Sequence, residues 1–305
     1  MTKKPINVQL DFLYHSTDLF TRVITDLARS KLEGKLSQEN RDREKLESLL
    51  GDTLILSNLV GRREAFREAD KLRERNGSKE GMLLFGSGKT PVFPKLTFSQ
   101  ALDDLLGRKI EVVSPEARAM RRGYIEVQNL YARGKVFALA RSISDKITSK
   151  IQKVIEASLG GKKSRRMQTS QDPAKIISSM GNWCRAYGEV VYRTNMATSM
   201  VQGIKQMATD PDVEEVIGGY EYAAVGDSDT RHNHLAASGL IAGVHDPVWK
   251  IFTPPLGYNC RCTLIMVDRH ELREKGLIEN GKVSRYEPST FSGAYPDKGF
   301  PGYQE

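Results

Sequence analysis

Cysteine is scarce in this sequence, which contains only Cys184, Cys260 and Cys262 among 305 residues. Such a small and odd number cannot form the disulfide framework of a small secreted domain, and it favours reduced thiols in a cytoplasm. The first residues include no apolar block of signal-peptide length, and no run approaches the ~20 apolar residues of a membrane helix. We therefore expect a globular protein that is neither secreted nor inserted in a membrane.

The sequence has fewer acidic than basic residues, with 38 Asp and Glu against 46 Lys and Arg and a formal net charge of +8. The excess is concentrated between Arg121 and Arg166, where twelve basic residues face three acidic ones, a local net charge of +9. A strongly basic region predicts a polyanionic partner or an acidic protein surface. The region ends in a basic segment that begins with two glycines and contains Lys162, Lys163, Arg165 and Arg166.

Two interpretations of this basic segment remain open. A run of like charges after Gly160 and Gly161 is typical of a solvated linker. The same charges could contact DNA phosphates, with an affinity that falls as salt rises. No aromatic residue lies between residues 160 and 166, so the segment itself gives no support to base stacking.

The sequence LLFGSGKT at residues 83–90 resembles part of a phosphate-binding loop. The full motif requires glycine at the position of Leu83, and Pro91 and Pro94 interrupt the helix that should follow. We therefore interpret the segment as an ordinary loop with an exposed Lys89.

Apolar residues recur at helical spacing over most of the chain. The predicted helices run from Ser16 to Gly34, from Ser37 to Asn76, over 97–106, from Pro115 to Leu159, and from Pro173 to about Asp210. Strands are predicted at 216–225 and 263–267, with a short helix ending near Gly276. The predicted class is α+β. It comprises a mostly helical region with a basic middle (1–165), a small mixed α/β domain (171–270) and an irregular C-terminal arm (271–305).

The segment from Gly226 to Val267 gathers three of the five histidines, two of the three cysteines and one of the two tryptophans. Its distinctive residues are Asp227, Asp229, Thr230, Arg231, His234, Trp249, Pro254, Pro255, Gly257, Asn259, Cys260, Arg261 and Cys262. Together they resemble the signature of the Mu F-like phage minor head proteins, also called phage head morphogenesis proteins. Tyr192, Arg193, Thr194 and Asn195, and the sequence PDKGFPGYQ at 296–304, are similar to flanking features of that family.

The resemblance implies a low-copy virion protein, made late in infection, that docks at the portal vertex and serves head morphogenesis. It implies the portal protein as a partner, scaffold or major capsid protein as further partners, and non-specific contact with genomic DNA. It implies assembly in the host cytoplasm and no established reaction, so we expect no enzyme activity, no cofactor and no membrane partner.

Metal binding is one alternative, since His232, His234, His245, Cys260 and Cys262 supply ligands that zinc accepts. If Asp229 caps a helix that Gly239 stops, His232 and His234 lie ~200° apart on it and cannot reach one ion. Some relatives carry a Cys-x-x-Cys and a later His where this chain has Arg231, His234 and Gly257. We expect no resident metal and keep His234, Cys260 and Cys262 as the candidate ligands.

A metal-dependent hydrolase or nuclease is the alternative function, suggested by the His-Asn-His sequence at 232–234. Adjacent residues cannot supply a base, a positioning amide and a metal ligand around one phosphate, although Asp227, Asp229 and His234 could converge. Nucleophilic catalysis by Cys260 or Cys262 with His234 lacks an evident orienting group in the sequence.

The structural interpretation is that these residues fix the fold of a small domain. Asp227 and Asp229 would cap a short helix, Arg231 would pair with one of them or with another carboxylate, and His234 would form a hydrogen bond inside. Trp249 would pack under the turn at Pro254 and Pro255. The polar residues Arg193, Thr194 and Asn195 would tie the preceding long helix to the small sheet.

Overall fold

The structure is a computed structural model that describes residues 7–75, 136–159, 173–211, 213–214, 216–279, 282–285 and 291–300. Several predicted features lie outside these residues. They are the loop at 83–90, the helix at 97–106, the start of the helix predicted from Pro115, and the basic segment with Lys162, Lys163, Arg165 and Arg166.

Four long helices contain most of the described chain: α1 (Asn7–Leu32), α2 (Leu36–Arg75), α3 (Val136–Leu159) and α4 (Pro173–Ala208). Helix α1 begins nine residues before the predicted start at Ser16, because residues 7–15 contain no glycine or proline to stop it. Helix α2 continues through Gly51 and Gly61 without interruption. None of the helices within the described ranges is both long and apolar enough to cross a membrane.

A small sheet and short helices follow: β1 (Ile217–Ala223), α5 (His232–Ala236), β2 (Ile241–Gly243), α6 (Trp249–Phe252), β3 (Thr263–Asp268), α7 (Arg269–Glu274), β4 (Ile278–Glu279) and β5 (Lys282–Val283). The first sheet is antiparallel with β1 in the centre, in the order β2-β1-β3. Strands β4 and β5 form a separate hairpin. Long helices together with a small antiparallel sheet confirm the predicted α+β class.

The described residues divide into two compact units. The first contains residues 7–11, residues 54–75 of α2 and the chain from Arg193 onward; the second contains residues 12–53, 136–159 and 173–192. The domain boundaries predicted from the sequence remain predictions.

In the first unit, residues 54–75 of α2 pack closely against the part of α4 that begins at Arg193. A Cβ on Gly61 would overlap the Met200 carbonyl oxygen, and one on Gly203 would overlap the Asn58 carbonyl oxygen. Beside this contact the buried Arg62 guanidinium donates to Asn58 Oδ1 at 3.1 Å and to Gln206 Oε1 at 2.8 Å. The sheet packs through Ile241, Val267, Leu272 and Leu277.

In the second unit, Phe20 and Tyr192 are buried with ring centroids 5.1 Å apart. Ser30 donates a hydrogen bond to the buried Asp42 carboxylate at 2.6 Å, which joins α1 to α2. The buried methionines of α4 in the two units are Met180, Met196, Met200 and Met207.

Candidate functional site

The turn between α6 and β3 carries the last part of the signature segment and is fastened to α4. Asn259 has φ 59°, a left-handed conformation that asparagine tolerates better than most residues. Its backbone N–H donates to Thr194 Oγ1 at 3.0 Å, and Arg193 reaches its side-chain oxygen at 3.5 Å. Arg193 and Thr194 therefore join α4 to the strand that follows the turn, as the structural interpretation predicts.

Asp297, in the C-terminal arm, lies at the centre of the polar contacts around α5. One carboxylate oxygen lies 3.2 Å from Arg231 Nε, and the other lies 3.1 Å from His234 Nε2 and 3.2 Å from Asn233 Nδ2. The Asp297 backbone N–H also donates to the Leu256 carbonyl at 2.8 Å. Asp297 thus joins the described part of the arm to α5 and to the turn before β3.

Gly257 makes room for the Asp297 carboxylate, because a Cβ at this position would overlap it. This is the position where some relatives carry the later histidine. The arm also contacts this turn through Tyr258 and Phe300, whose rings meet edge to face at 5.3 Å. Substitution of Gly257 therefore requires the Asp297 side chain to shift.

His234, Cys260 and Cys262 form a buried cluster. One His234 ring nitrogen and the two Sγ atoms all lie within 4.8 Å of one another. The three residues are 2%, 4% and 6% exposed. The backbone N–H of Cys262 lies 3.5 Å from Cys260 Sγ and donates to it. The three candidate ligands selected from the sequence are therefore brought together.

Hydrogen bonding within the cluster shifts the pKa values of the two thiols in opposite directions. The hydrogen bond from the Cys262 thiol lowers the pKa of Cys260; burial opposes this shift and His234 reinforces it. The same hydrogen bond, together with burial, raises the pKa of Cys262. Burial, with contributions from both thiols, also raises the pKa of the Tyr222 hydroxyl, which has no hydrogen-bond partner among the described residues.

Asp227 stabilises the loop before α5 without capping that helix. It accepts hydrogen bonds from the Asp229 backbone and the Thr230 hydroxyl, and it forms a bidentate pair with Arg261 at 2.6 Å for each bond. Helix α5 begins at His232 with Arg231 as its N-cap and no side-chain cap. The prediction that Asp229 caps the helix is therefore wrong, because Asp227 holds the preceding residues in a turn instead.

The Asp227–Arg261 pair predicts a specific pH dependence. The Arg261 hydrogen bonds hold the pKa of Asp227 at about 2, below its ordinary value. A lowered folded-state pKa stabilises the fold above the ordinary value near pH ~4, and this contribution is lost as pH falls toward ~2. In Arg261→Gln we expect the pKa of Asp227 to rise by about one unit or more, measured by carboxyl-carbon NMR titration. Arg273→Gln, an exposed change on α7, serves as the control, and an unchanged Asp227 titration in Arg261→Gln contradicts the assignment.

Trp249 is buried at the start of α6. Its ring meets Tyr220 of β1 edge to face at 5.5 Å, and its indole N–H donates to the Gly243 carbonyl at 2.8 Å. The Thr253 hydroxyl donates to the Trp249 carbonyl, which ties the end of α6 to its start. Trp249 therefore anchors α6 to the strands β1 and β2.

Other residues of the signature segment are outside this buried cluster. His232 and Asp229 are exposed, and His245 is exposed beside Glu214. Since Asp227 is engaged by Arg261, the convergence of Asp227, Asp229 and His234 that a nuclease would use is not formed in the described chain.

Sequence reasoning missed Asp297 and Tyr222 as parts of the site. Asp297 orients His234, and no such group was evident from the sequence. It lies 63 residues away, in an arm that was expected to be irregular. Tyr222 shows only as an aromatic residue of a strand. The Pro-Asp pair at 296–297, inside the segment that resembles family members, is the one signal that could have indicated Asp297.

The buried cluster lies within a part of the chain that matches a known protein family. Residues 144–265 match the family described as Phage Mu protein F like protein. The chain is 25% identical over 170 residues to the Mu-like prophage FluMu F protein of Haemophilus influenzae, an alignment that covers 50% of this chain and 39% of that protein. It is 28% identical over 83 residues to the putative capsid assembly protein F of Escherichia phage Mu, covering 27% of this chain and 19% of that protein.

The chain therefore spans well under half the length of these curated relatives. No solved structure matches. The resemblance inferred from the signature residues is confirmed.

Proposed function

We propose that this Mu F-like phage protein is a minor head protein that takes part in capsid assembly by docking at the portal vertex. The match over residues 144–265 carries the proposal, because one matched relative is named as a putative capsid assembly protein. Its partners are the portal protein and, during assembly, scaffold or major capsid protein. It reaches the virion from the host cytoplasm.

The burial of the cluster of His234, Cys260 and Cys262 supports a binding role rather than a catalytic one. His234, Cys260 and Cys262 are almost fully enclosed, so a substrate could reach them only if the arm or turn opened. Asp227, Arg231, Asp297 and Arg261 are engaged with one another or with backbone groups. A network of this kind stabilises a small domain whose apolar core is limited.

The second unit contains a basic groove that suits an anionic partner. Its volume is about 410 Å³, and its lining residues include Arg22, Arg29 and Arg185 with one acidic residue, Asp26. We propose that the groove adds to the contact between this protein and packaged DNA or an acidic portal surface. Electrostatic contacts of this type accelerate encounter and weaken as salt rises.

Binding to the portal tests the docking proposal directly. The full chain is mixed with purified portal protein, and the complex is measured by analytical ultracentrifugation over a series of salt concentrations. We expect a complex whose affinity falls with salt, and a weaker one for Arg22→Ala combined with Arg185→Ala. Arg43→Ala, an exposed arginine of α2 outside the groove, is the matched control.

Failure of the wild-type chain to bind the portal at low salt would contradict docking. Equal binding by the double variant and its control would contradict the role of the groove alone. DNA binding is measured in the same salt series, and affinity without salt dependence would contradict phosphate contact.

The alternative function, a metal-dependent hydrolase or nuclease, makes an opposite prediction. It requires cleavage of DNA in the presence of Mg²⁺ or Mn²⁺ that His234→Ala abolishes. On the proposed function, neither the wild-type chain nor the variant cleaves DNA.

A further inference from the structure

We propose that His234, Cys260 and Cys262 form a zinc-binding site that stabilises the small domain. This inference goes beyond the proposed assembly role and does not depend on it. Two cysteine sulfurs and one imidazole nitrogen are a donor set that zinc accepts, and the three side chains are supplied by α5 and the turn before β3.

The spacing of the three donor atoms fits one ion after a small adjustment. Because all three lie within 4.8 Å of one another, a common point exists at about 2.8 Å or less from each. Zinc binds sulfur at about 2.3 Å and imidazole nitrogen at about 2.0 Å. Each donor therefore needs to move by less than about 1 Å, which side-chain torsions can supply.

Asp297 provides the second observation that points to a metal. Its carboxylate lies 3.1 Å from His234 Nε2, which leaves Nδ1 as the nitrogen available for coordination. A metal-ligating histidine commonly donates its other ring N–H to a carboxylate, which fixes the ring and makes the ligand more basic. Arg231 and Asn233 hold the same carboxylate in place.

Tyr222 completes the surroundings of the cluster. Its buried hydroxyl has no hydrogen-bond partner in the described chain, and both thiols act on it electrostatically. It can donate a hydrogen bond to a coordinated thiolate or take the remaining tetrahedral position. Zinc binding requires both thiols as thiolates, so the protons they carry are released to solvent when the ion binds.

The geometry differs from the one expected from the sequence. Of the two histidines on α5, only His232 is excluded as a zinc ligand, because its side chain is exposed. His234 is buried and remains available as a ligand. The Cys-x-Cys spacing is shorter than the common ligand separation, but the turn before β3 brings both sulfurs to the same side as His234.

Metal content of the full-length chain is the decisive measurement. The protein is expressed with added zinc, purified on a tag without histidines and without chelator, and analysed by inductively coupled plasma mass spectrometry. We expect about one zinc per chain in the wild type, by the three-ligand assignment. Cys260→Ser and Cys262→Ser should each lose it, whereas Cys184→Ala, a buried free cysteine outside the cluster, should keep it.

Cobalt substitution and Asp297→Asn give independent readouts. Cobalt(II) bound at this site should show a thiolate-to-metal charge-transfer band in the near ultraviolet, which Cys184→Ala preserves. Asp297→Asn should weaken zinc binding about 10- to 100-fold in competition with a chromophoric chelator. The zinc content and the cobalt spectrum of the wild-type chain remain decisive if a cysteine variant fails to fold.

Two results would overturn the proposal. One is wild-type protein with far less than one zinc per chain and no cobalt-thiolate band, which would leave a metal-free hydrogen-bonded thiol pair. The other is full zinc content in both Cys260→Ser and Cys262→Ser, which would place the ion elsewhere.

Discussion

Gly203→Ala and Gly61→Ala are each expected to lower the free energy of unfolding of the first unit by about 2 kcal/mol or more. The added Cβ would overlap a backbone carbonyl oxygen of the facing helix segment, which cannot rotate away as a side chain can. Because the overlapped atom belongs to the backbone, the overpacking cost should lie at or above the upper end of its usual range, about 3 kcal/mol, and the better helix propensity of alanine offsets about 1 kcal/mol. Urea denaturation followed by hydrogen exchange locates the loss in residues 54–75 and 193–208.

Gly181→Ala is the matched control on α4. Nothing lies within 4 Å of a Cβ at this position, so the helix gains propensity without a clash. We expect stabilisation by about 0.5–1 kcal/mol. Equal effects of Gly203→Ala and Gly181→Ala would contradict the close helix contact.

Trp249→Ala is expected to cost about 3–5 kcal/mol, since it removes a buried indole from the side of the sheet. Both the edge-to-face contact with Tyr220 and the hydrogen bond to Gly243 are lost. Hydrogen exchange of β1 and β2 should accelerate most, because these strands carry the two contacts.

Trp249→Phe separates the two contributions. It keeps an aromatic ring near Tyr220 but removes the N–H donor, and the Gly243 carbonyl still accepts from Asp246 N. We expect a loss of about 1–2 kcal/mol. A cost for Trp249→Ala no greater than that for Trp249→Phe would contradict the anchoring role.

Much of the fold follows from local patterns in the sequence. The predicted strands at 216–225 and 263–267 correspond to β1 and β3, and Pro173 opens α4 as expected from its fixed φ. The prediction that Arg231 pairs with a carboxylate is confirmed, with Asp297 as its partner. The strands and the start of α4 were predictable because periodicity and the fixed φ of proline act over a few residues, whereas the sequence left the partner of Arg231 open.

The centre of the candidate site depends on contacts that are distant in sequence. His234 and Asp297 meet only because the arm returns to the turn at Gly257, and periodicity contains no information about such a return. The predicted cap at Asp229 failed for a related reason. Asp227 forms a turn with Thr230 and a pair with Arg261, which lies 34 residues away.

The site and the proposed function are connected through the arm. Asp297 and Tyr295 join described residues of the arm to α5, which also carries His234 of the buried cluster. A zinc ion would strengthen this connection by holding His234 against both cysteines. Docking to a portal would then use a surface that is preformed rather than ordered on binding.

The copy number of this protein in purified particles tests the central claim most directly. Quantitative mass spectrometry of virions and of assembly intermediates compares this chain with the portal subunit. The account predicts a few copies per particle, up to one per portal subunit, in at least one of the two preparations. Absence from both, or a copy number close to that of the major capsid protein, would contradict a portal-vertex role.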